Sequence, residues 1–415
     1  MSLFEMAAVL FAIAAAIAYL NYRFARLPSA VAMLVGGLVS AMAILAVDRL
    51  WPHAGVGTRV VGLLADVDFS SLLMNGMLGF LLFAGSLTVD VHRLRENLGP
   101  VLTLASAGVL LSTAIVGGGT WCLFAVAGVP VPFGYCLVFG ALISPTDPVA
   151  VLAIMEELHV PKALEINVTG ESLLNDGIGV VVFTALLELA AAPGSVSAPA
   201  VALLFAREVI GGVLLGMAGG FLVYQAMKRV DEPNVEVQLS VAMVVALIAA
   251  AARLHVSAPL ACVAAGIIVG NDARRHAMRD ATREALDRVW SFADYVMNAV
   301  LFLLLGLEAT VFRIASPVHA AVVLAVITLV LAARFVSVGL PMSIIRRRRE
   351  MPHGIVRVLT WGGLRGGISV ALALSLPPFS GRAGILSATY GVVVFAILVQ
   401  GLTLGRVIRR LGAAT

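Results

Sequence analysis

Ser144-Pro145-Thr146-Asp147-Pro148 stands in the middle of an apolar run that extends over residues 132–157. Each proline lacks a backbone N–H and pushes the residue before it out of the helical region, so a helix over this run must break into two halves near 144–148. Thr146 or Asp147 then caps the second half, with Pro148 at its first helical position. Such a break frees backbone carbonyls and sets a carboxylate at a positive helix end, the construction that membrane carriers use for a midplane ion site. A proline kink with a capping aspartate and no ligand is the plainer alternative.

Around this stretch the chain has the composition of a membrane protein. Of 415 residues, 60% are hydrophobic and 13% charged, whereas a soluble domain carries about 45–50% and about 25%. That excludes a solvated globular enzyme. Apolar runs at roughly 3–21, 27–47, 69–89, 98–127, 132–157, 161–191, 199–227, 235–252, 256–270, 287–312, 318–345, 354–377 and 383–405 give thirteen spans, a spanning helix needing about 20 residues. The reading is an all-α polytopic membrane protein, one transmembrane domain over residues 1–415.

Charge orients it. With the N-terminus outside, the inside loops collect 20 of the 28 basic residues, four of them at 346–349, and the outside loops hold Arg49, Arg59, Arg253, Arg313 and Arg382. Such a bias predicts an integral membrane protein with N outside and C inside, placed in the inner (plasma) membrane of a prokaryote. The net charge of +4 is thereby assigned to topology, with no nucleic-acid partner. The loop 271–287 reads as a short amphipathic inside connection. Cys122, Cys136 and Cys262 fit neither a metal site nor a disulfide pattern and read as small core residues. No basic residue precedes the first run, so it reads as a retained helix. Only five residues follow Arg410, and no regulatory tail is expected.

A charge at bilayer depth costs about 2.5–3.5 kcal/mol on insertion scales, which makes each one a functional candidate. Those singled out are Asp147, Glu171, Asp176, Glu188, Glu308, Arg334 and Arg365. The seven histidines fall in loops or at span ends, which argues against a histidine relay. In the twelfth run, Gly362-Gly363-Leu364-Arg365-Gly366-Gly367 forms a second interruption, because four glycines weaken the helix and admit another backbone. Two interrupted spans, one in each half of the chain, point to inverted repeats whose discontinuous helices cross. Arg365 offsets the carbonyl ends of the half-helices.

Gly170-Glu171-Ser172-Leu173-Leu174-Asn175-Asp176-Gly177 lies in the sixth run. Ser172, Asn175 and Asp176 stand at i, i+3 and i+4, so hydroxyl, amide and carboxylate share a helical face. These hard oxygen donors suit a small hard cation. A proton and a cation compete for one such carboxylate, and that competition couples them. Glu171 needs a partner at this depth, since an unpaired buried charge is far more costly than a paired one. Arg365 is the expected partner. Glu188 and Glu308 are read as reaching the interface, and Arg334 as snorkelling or pairing locally.

SPTDPVAV, GESLLNDG and GGLRGGISVALALSLP, in this order, together with Asn298-Ala299-Val300-Leu301-Phe302 and residues 306–308, resemble the NhaP-type, sodium-proton-exchanger branch of the cation:proton antiporters. The resemblance implies a thirteen-helix NhaA/NhaP-like fold and a homodimer. It also implies a core bundle of roughly 98–191 and 318–405 moving against interface helices of roughly 3–89 and 199–312. It implies that Asp176 is the essential cation and proton carboxylate. Asp147, Ser172 and the Thr146 carbonyl would complete a sodium shell, Asn175 would stabilise the site, and Glu171 with Arg365 would form a structural ion pair. The Asn-Asp pair implies electroneutral 1:1 exchange. Where many relatives carry an acid in the third span, this chain reads Phe83-Ala84-Gly85-Ser86.

The leading expectation is therefore a secondary active antiporter, not an enzyme, that exchanges sodium or lithium for protons by alternating access and has no cofactor beyond the transported ions. Potassium/proton or mixed monovalent exchange is the alternative in the same class. An intramembrane aspartyl protease, which would use Asp147 and Asp176 as a proton-sharing pair, is remote. Its Gly-x-Gly-Asp and Tyr-Asp signatures surround neither residue.

Overall fold

The computed structural model describes residues 3–50, 73–148, 151–152, 154–155, 158, 160, 162–191, 198–308, 317–345 and 354–410. Arg59, Arg313 and the basic run at 346–349, which entered the charge reading, lie outside the described residues.

All regular structure among the described residues is helical. The order is α1 (Leu3–Leu20), α2 (Ser29–Leu50), α3 (Leu78–Leu87), a short α4 (Val91–Glu96), α5 (Leu98–Val126) and α6 (Phe133–Ile143). Long helices follow: α7 (Lys162–Ala191), α8 (Ala198–Met227), α9 (Pro233–Leu254), α10 (Ala258–Ile268), α11 (Asp280–Glu308) and α12 (Pro317–Ile345). The chain closes with two short pieces, α13 (Ile355–Trp361) and α14 (Gly367–Leu374), and with α15 (Arg382–Arg410). Among the described residues, eight helices are long and apolar enough to cross a membrane, and α3, α6 and residues 29–44 of α2 are shorter apolar helices.

Local chemistry sets several boundaries. Asp90 accepts from the N–H groups of His92 and Arg93, which starts α4. Ser257 caps α10 in the same way through Leu260 N–H, with Pro259 in the first turn. The loop expected at 271–287 is mostly helix instead. α10 runs on through a π turn (Val269–Ala273) and one further turn (Arg274–His276), and α11 begins at Asp280, seven residues before its expected start. Its first turns are stitched by local ion pairs, Arg283–Asp280 at i,i+3 (2.9 Å) and Arg288–Glu284 at i,i+4 (3.7 Å). Charge-rich segments so paired form helix outside the apolar slab.

The helices pack in two groups. In one, α5 lies on α6 and α12, α6 on α7, and α12 on α15, with α13 and α14 completing the set. In the other, α8 lies on α10, α10 on α3, and α11 on α2, α3 and α9. The groups meet where α7 lies against α8 and α10, and where α11 lies against α14. Outward faces are apolar, as lipid requires: Leu203, Leu214, Phe221 and Leu222 of α8 are exposed. Cys136 and Cys262 are buried as expected, but Cys122 is exposed on α5.

Candidate cation site at the crossing of two broken helices

Both predicted interruptions are present. α6 ends at Ile143, residues 144–148 are non-helical, and helix resumes at 151–152, where Leu152 N–H donates to the Pro148 carbonyl (2.8 Å). Residues 149 and 150, which would complete the capping expected of Thr146 or Asp147, lie outside the described residues. α13 ends at Trp361, and α14 starts at Gly367 after a glycine-rich link.

The two breaks touch each other. Asp147 N–H donates to the Leu364 carbonyl at 2.9 Å, so a backbone donor released by one break is satisfied by the other. Arg365, only 2% exposed, donates from Nη1 to the Pro145 carbonyl (2.8 Å) and to the Ser144 carbonyl. These carbonyls follow the C-terminal end of α6, where the helix carries partial negative charge. The expected role of Arg365 as an offset to carbonyl ends is thus visible as two hydrogen bonds. Close approach requires glycine here, because a Cβ on Gly366 would stand 2.8 Å from Asp147 Cβ.

The expected Glu171–Arg365 ion pair is not formed. Glu171, 1% exposed, pairs instead with Arg334 of α12, whose Nη1 lies 2.5 Å from Oε1. The cause is positional. Arg365 is committed to the carbonyls of the crossing, while Arg334 reaches inward past Gly363, where a Cβ would stand 2.6 Å from Arg334 Nε. Arg334 therefore neither snorkels nor pairs locally; its partner is far away in sequence. Glu188 is exposed near the end of α7, in keeping with an interface position.

Ser172, Asn175 and Asp176 lie on α7, all buried. Asn175 uses both ends of its amide on Thr146: Oδ1 accepts from Thr146 N–H (3.2 Å), and Nδ2 donates to Thr146 Oγ1 (2.8 Å). Ser172 Oγ lies 3.0 Å from the same Thr146 Oγ1. Thr146, Ser172 and Asn175 therefore form a hydrogen-bonded clamp that fixes the break to α7. Removing the amide orphans the buried Thr146 N–H at a cost of about 1–3 kcal/mol. Asn175→Ala is expected to melt earlier in detergent, while Ser172→Ala, which deletes one hydroxyl contact and leaves the N–H satisfied, shifts the transition less.

Asp176 and Asp147 face elsewhere. Both line a cavity of about 400 Å³, bounded by α3, the two breaks and α11. Asp176 is 3% exposed, and its Oδ1 has no hydrogen-bond partner. A buried, unpartnered carboxylate oxygen needs a proton or a cation to offset its desolvation. Of the five residues expected to bind the cation, the structure thus brings Asp147 and Asp176 to the cavity, and sets Thr146, Ser172 and Asn175 behind them as the clamp.

One residue of this cavity escaped the sequence reading. Asp294 lines it from α11 and accepts from Asn298 Nδ2 at 3.1 Å. It lay within a predicted span but was not counted among the charges at depth. The signal was there: Asp287 and Asp294 are seven residues apart, two turns on one face.

The whole arrangement has relatives. The family described as "Sodium/hydrogen exchanger, transmembrane" matches residues 10–410. The Na(+)/H(+) antiporter NhaP of Pseudomonas aeruginosa is 44% identical over 414 residues, 99% of this chain and 97% of that one. The Na(+)/H(+) antiporter NhaH of Halobacillus dabanensis is 32% identical over 348 residues, covering 83% and 84%. In fold, the chain is similar to the sodium proton antiporter MjNhaP1 of Methanocaldococcus jannaschii, with a TM-score of 0.74 at 16% identity over 98% of each chain. With a family match over nearly its whole length and this degree of identity, the chain belongs to the transmembrane sodium/hydrogen exchanger family.

Proposed function

We propose that this protein exchanges sodium or lithium for protons across the membrane, one for one, with cation and proton competing for Asp176. One observation carries the reading: a buried carboxylate with an unpartnered oxygen faces, together with Asp147, a cavity at the crossing of two broken helices. When Asp176 binds a cation it releases a proton, and when it takes a proton it releases the cation. Alternate exposure of that one group to the two sides is enough to couple the flows. The names of the similar antiporters support the same exchange.

The cation shell we propose is Asp147 and Asp176, with Ser172 Oγ and the Thr146 carbonyl closing from the clamp. Sodium is cargo here, and no cofactor is needed. Asn175 supports electroneutral exchange, because its amide is occupied by Thr146 and has no proton that titrates. The group of α5–α7 and α12–α15 is the moving core. The α1–α3 and α8–α11 group is the interface body of a homodimer, whose exposed apolar faces remain for lipid or a second copy. We assign thirteen spans with N outside and C inside, in a prokaryotic inner membrane, from the arginine bias of the loops.

The test is transport by purified protein in sealed vesicles loaded with a pH dye and pulsed with one chloride salt at a time. Sodium and lithium should drive proton flux, at a rate that does not change when valinomycin and potassium clamp the membrane potential. Proton flux driven equally well by potassium would replace sodium selectivity with mixed monovalent exchange. No cation-dependent flux at all would sink the reading.

A further inference from the structure

The inner face of α11 carries a row of oxygens that the crossing itself does not use. Asp287, Ser291, Asp294 and Asn298 all line the cavity. Their spacings of four, three and four residues put them on one face of the helix. At 1.5 Å rise per residue the row is about 16 Å long. It starts at half-buried Asp287, passes exposed Ser291 and ends next to Leu301, which packs against Gly367 at the start of α14. One wall of the cavity is therefore polar from the mouth to the site.

The charges along this row are not equivalent. Asp287, at the outer end, is held by both guanidinium nitrogens of Arg274, at 2.9 and 2.5 Å. Its charge is already compensated. Asp294, two turns deeper and half-buried, accepts from Asn298, and no basic side chain among the described residues pairs with it. Asp147 lines the same cavity. On the α3 wall stand Ala84 and Gly85, which bring no charge. Three carboxylates, Asp147, Asp176 and Asp294, thus share one space, and no basic side chain lines it among the described residues. Like charges so placed repel unless a cation lies between them. The buried Asp176 Oδ1 without a partner points to the same missing species.

We propose that Asp294 is a receiving station for the monovalent cation, taking the partly hydrated ion at the cavity wall and passing it to Asp147 and Asp176. Because α11 packs along its length with α2, α3 and α9 and meets the crossing only near α14, the station belongs to the group that stays fixed while the site moves. Trp290 anchors that wall: its Nε1 donates to Ser240 Oγ on α9 (3.0 Å), and its ring packs on Phe83 of α3, centroids 4.5 Å apart. Asn298 sets the rotamer of Asp294. The inference rests on the exchange reading above and adds to it a residue for cation capture.

Asp294→Asn keeps the shape and removes the charge. Reconstituted as the full chain and assayed over a range of sodium concentrations, it should show an apparent KM raised about tenfold, equivalent to about 1.4 kcal/mol, with kcat unchanged. Asp294→Glu should recover most of the affinity. A second readout separates capture from mere packing. Choline chloride should raise the wild-type KM by screening and should move that of Asp294→Asn much less. If Asp294→Asn does not reach the membrane, Ser291→Lys carries the test at an exposed position one turn away, where its ammonium should neutralise Asp294 and raise KM. An unchanged KM with an unchanged salt response overturns the station and leaves the exchange reading standing. So does a fall in kcat at constant KM. A wild-type chain without cation-driven flux removes both.

Discussion

Vesicles reconstituted with Asp176→Asn are expected to respond to a sodium pulse no more than vesicles without protein. Asparagine matches aspartate in size, so the cavity and the packing of α7 survive, but it can neither release a proton at working pH nor present a full negative charge. Both halves of the cycle fail together. Other side chains of α7 cannot take over: Asn175 and Ser172 are bonded to Thr146, and Glu171 is paired with Arg334. The protein should stay folded, because Oδ1 of Asp176 makes no hydrogen bond whose loss would destabilise it. A monodisperse variant with residual sodium-driven proton flux would show that the exchanged proton sits elsewhere.

A second large effect is expected at the Glu171–Arg334 pair, and it is one of stability. Removing one partner of a buried ion pair leaves the other charge desolvated and alone, at about 3–5 kcal/mol. Arg334→Met should therefore lower the melting temperature in detergent sharply, and Glu171→Gln should do likewise. The double variant Glu171→Gln/Arg334→Met should recover much of the loss, because no orphaned charge remains. The same cycle with Arg365→Met should be close to additive in Glu171, as expected of groups without a direct bond. Strong coupling between Glu171 and Arg365, with none to Arg334, would overturn the pairing described above.

How much of this was written in the sequence depends on the kind of signal. The two broken helices were legible because proline and clustered glycine act on the backbone within a residue or two of themselves, and both breaks lie where Pro145, Pro148 and the 362–367 glycines put them. The register of Ser172, Asn175 and Asp176 was legible as helix geometry. Which of these side chains turns to the break and which to the cavity was not, since that depends on where Thr146 comes to lie. Partner choice was opaque for the same reason. Two arginines, 334 and 365, lie at depth, and proximity to a motif favoured the wrong one for Glu171. Asp294 lay inside the expected span and was still passed over, because no neighbouring motif marked it, while the start of α11 was read as loop although paired charges such as Asp280 and Arg283 build helix there.

The swap of arginine partners has an electrical consequence. Glu171 is cancelled by Arg334, and the other buried arginine, Arg365, sits at the crossing that carries Asp147, beside α7 and Asp176. With every carboxylate ionised, these five side chains sum to one uncompensated negative charge. A single monovalent cation, or a single proton, brings the sum to zero. On the proposed cycle, a loaded core would cross the hydrocarbon as a neutral body and do no work against the membrane field, which otherwise takes about 2.3 kcal/mol per charge per 100 mV. An empty core would have to carry a bare charge through a medium of low dielectric constant, against a Born penalty of several kcal/mol even after relaxation. On the exchange proposed above, the same arithmetic that would make transport silent to voltage would also suppress slippage, because the carrier is electrically fit to move only when something is bound.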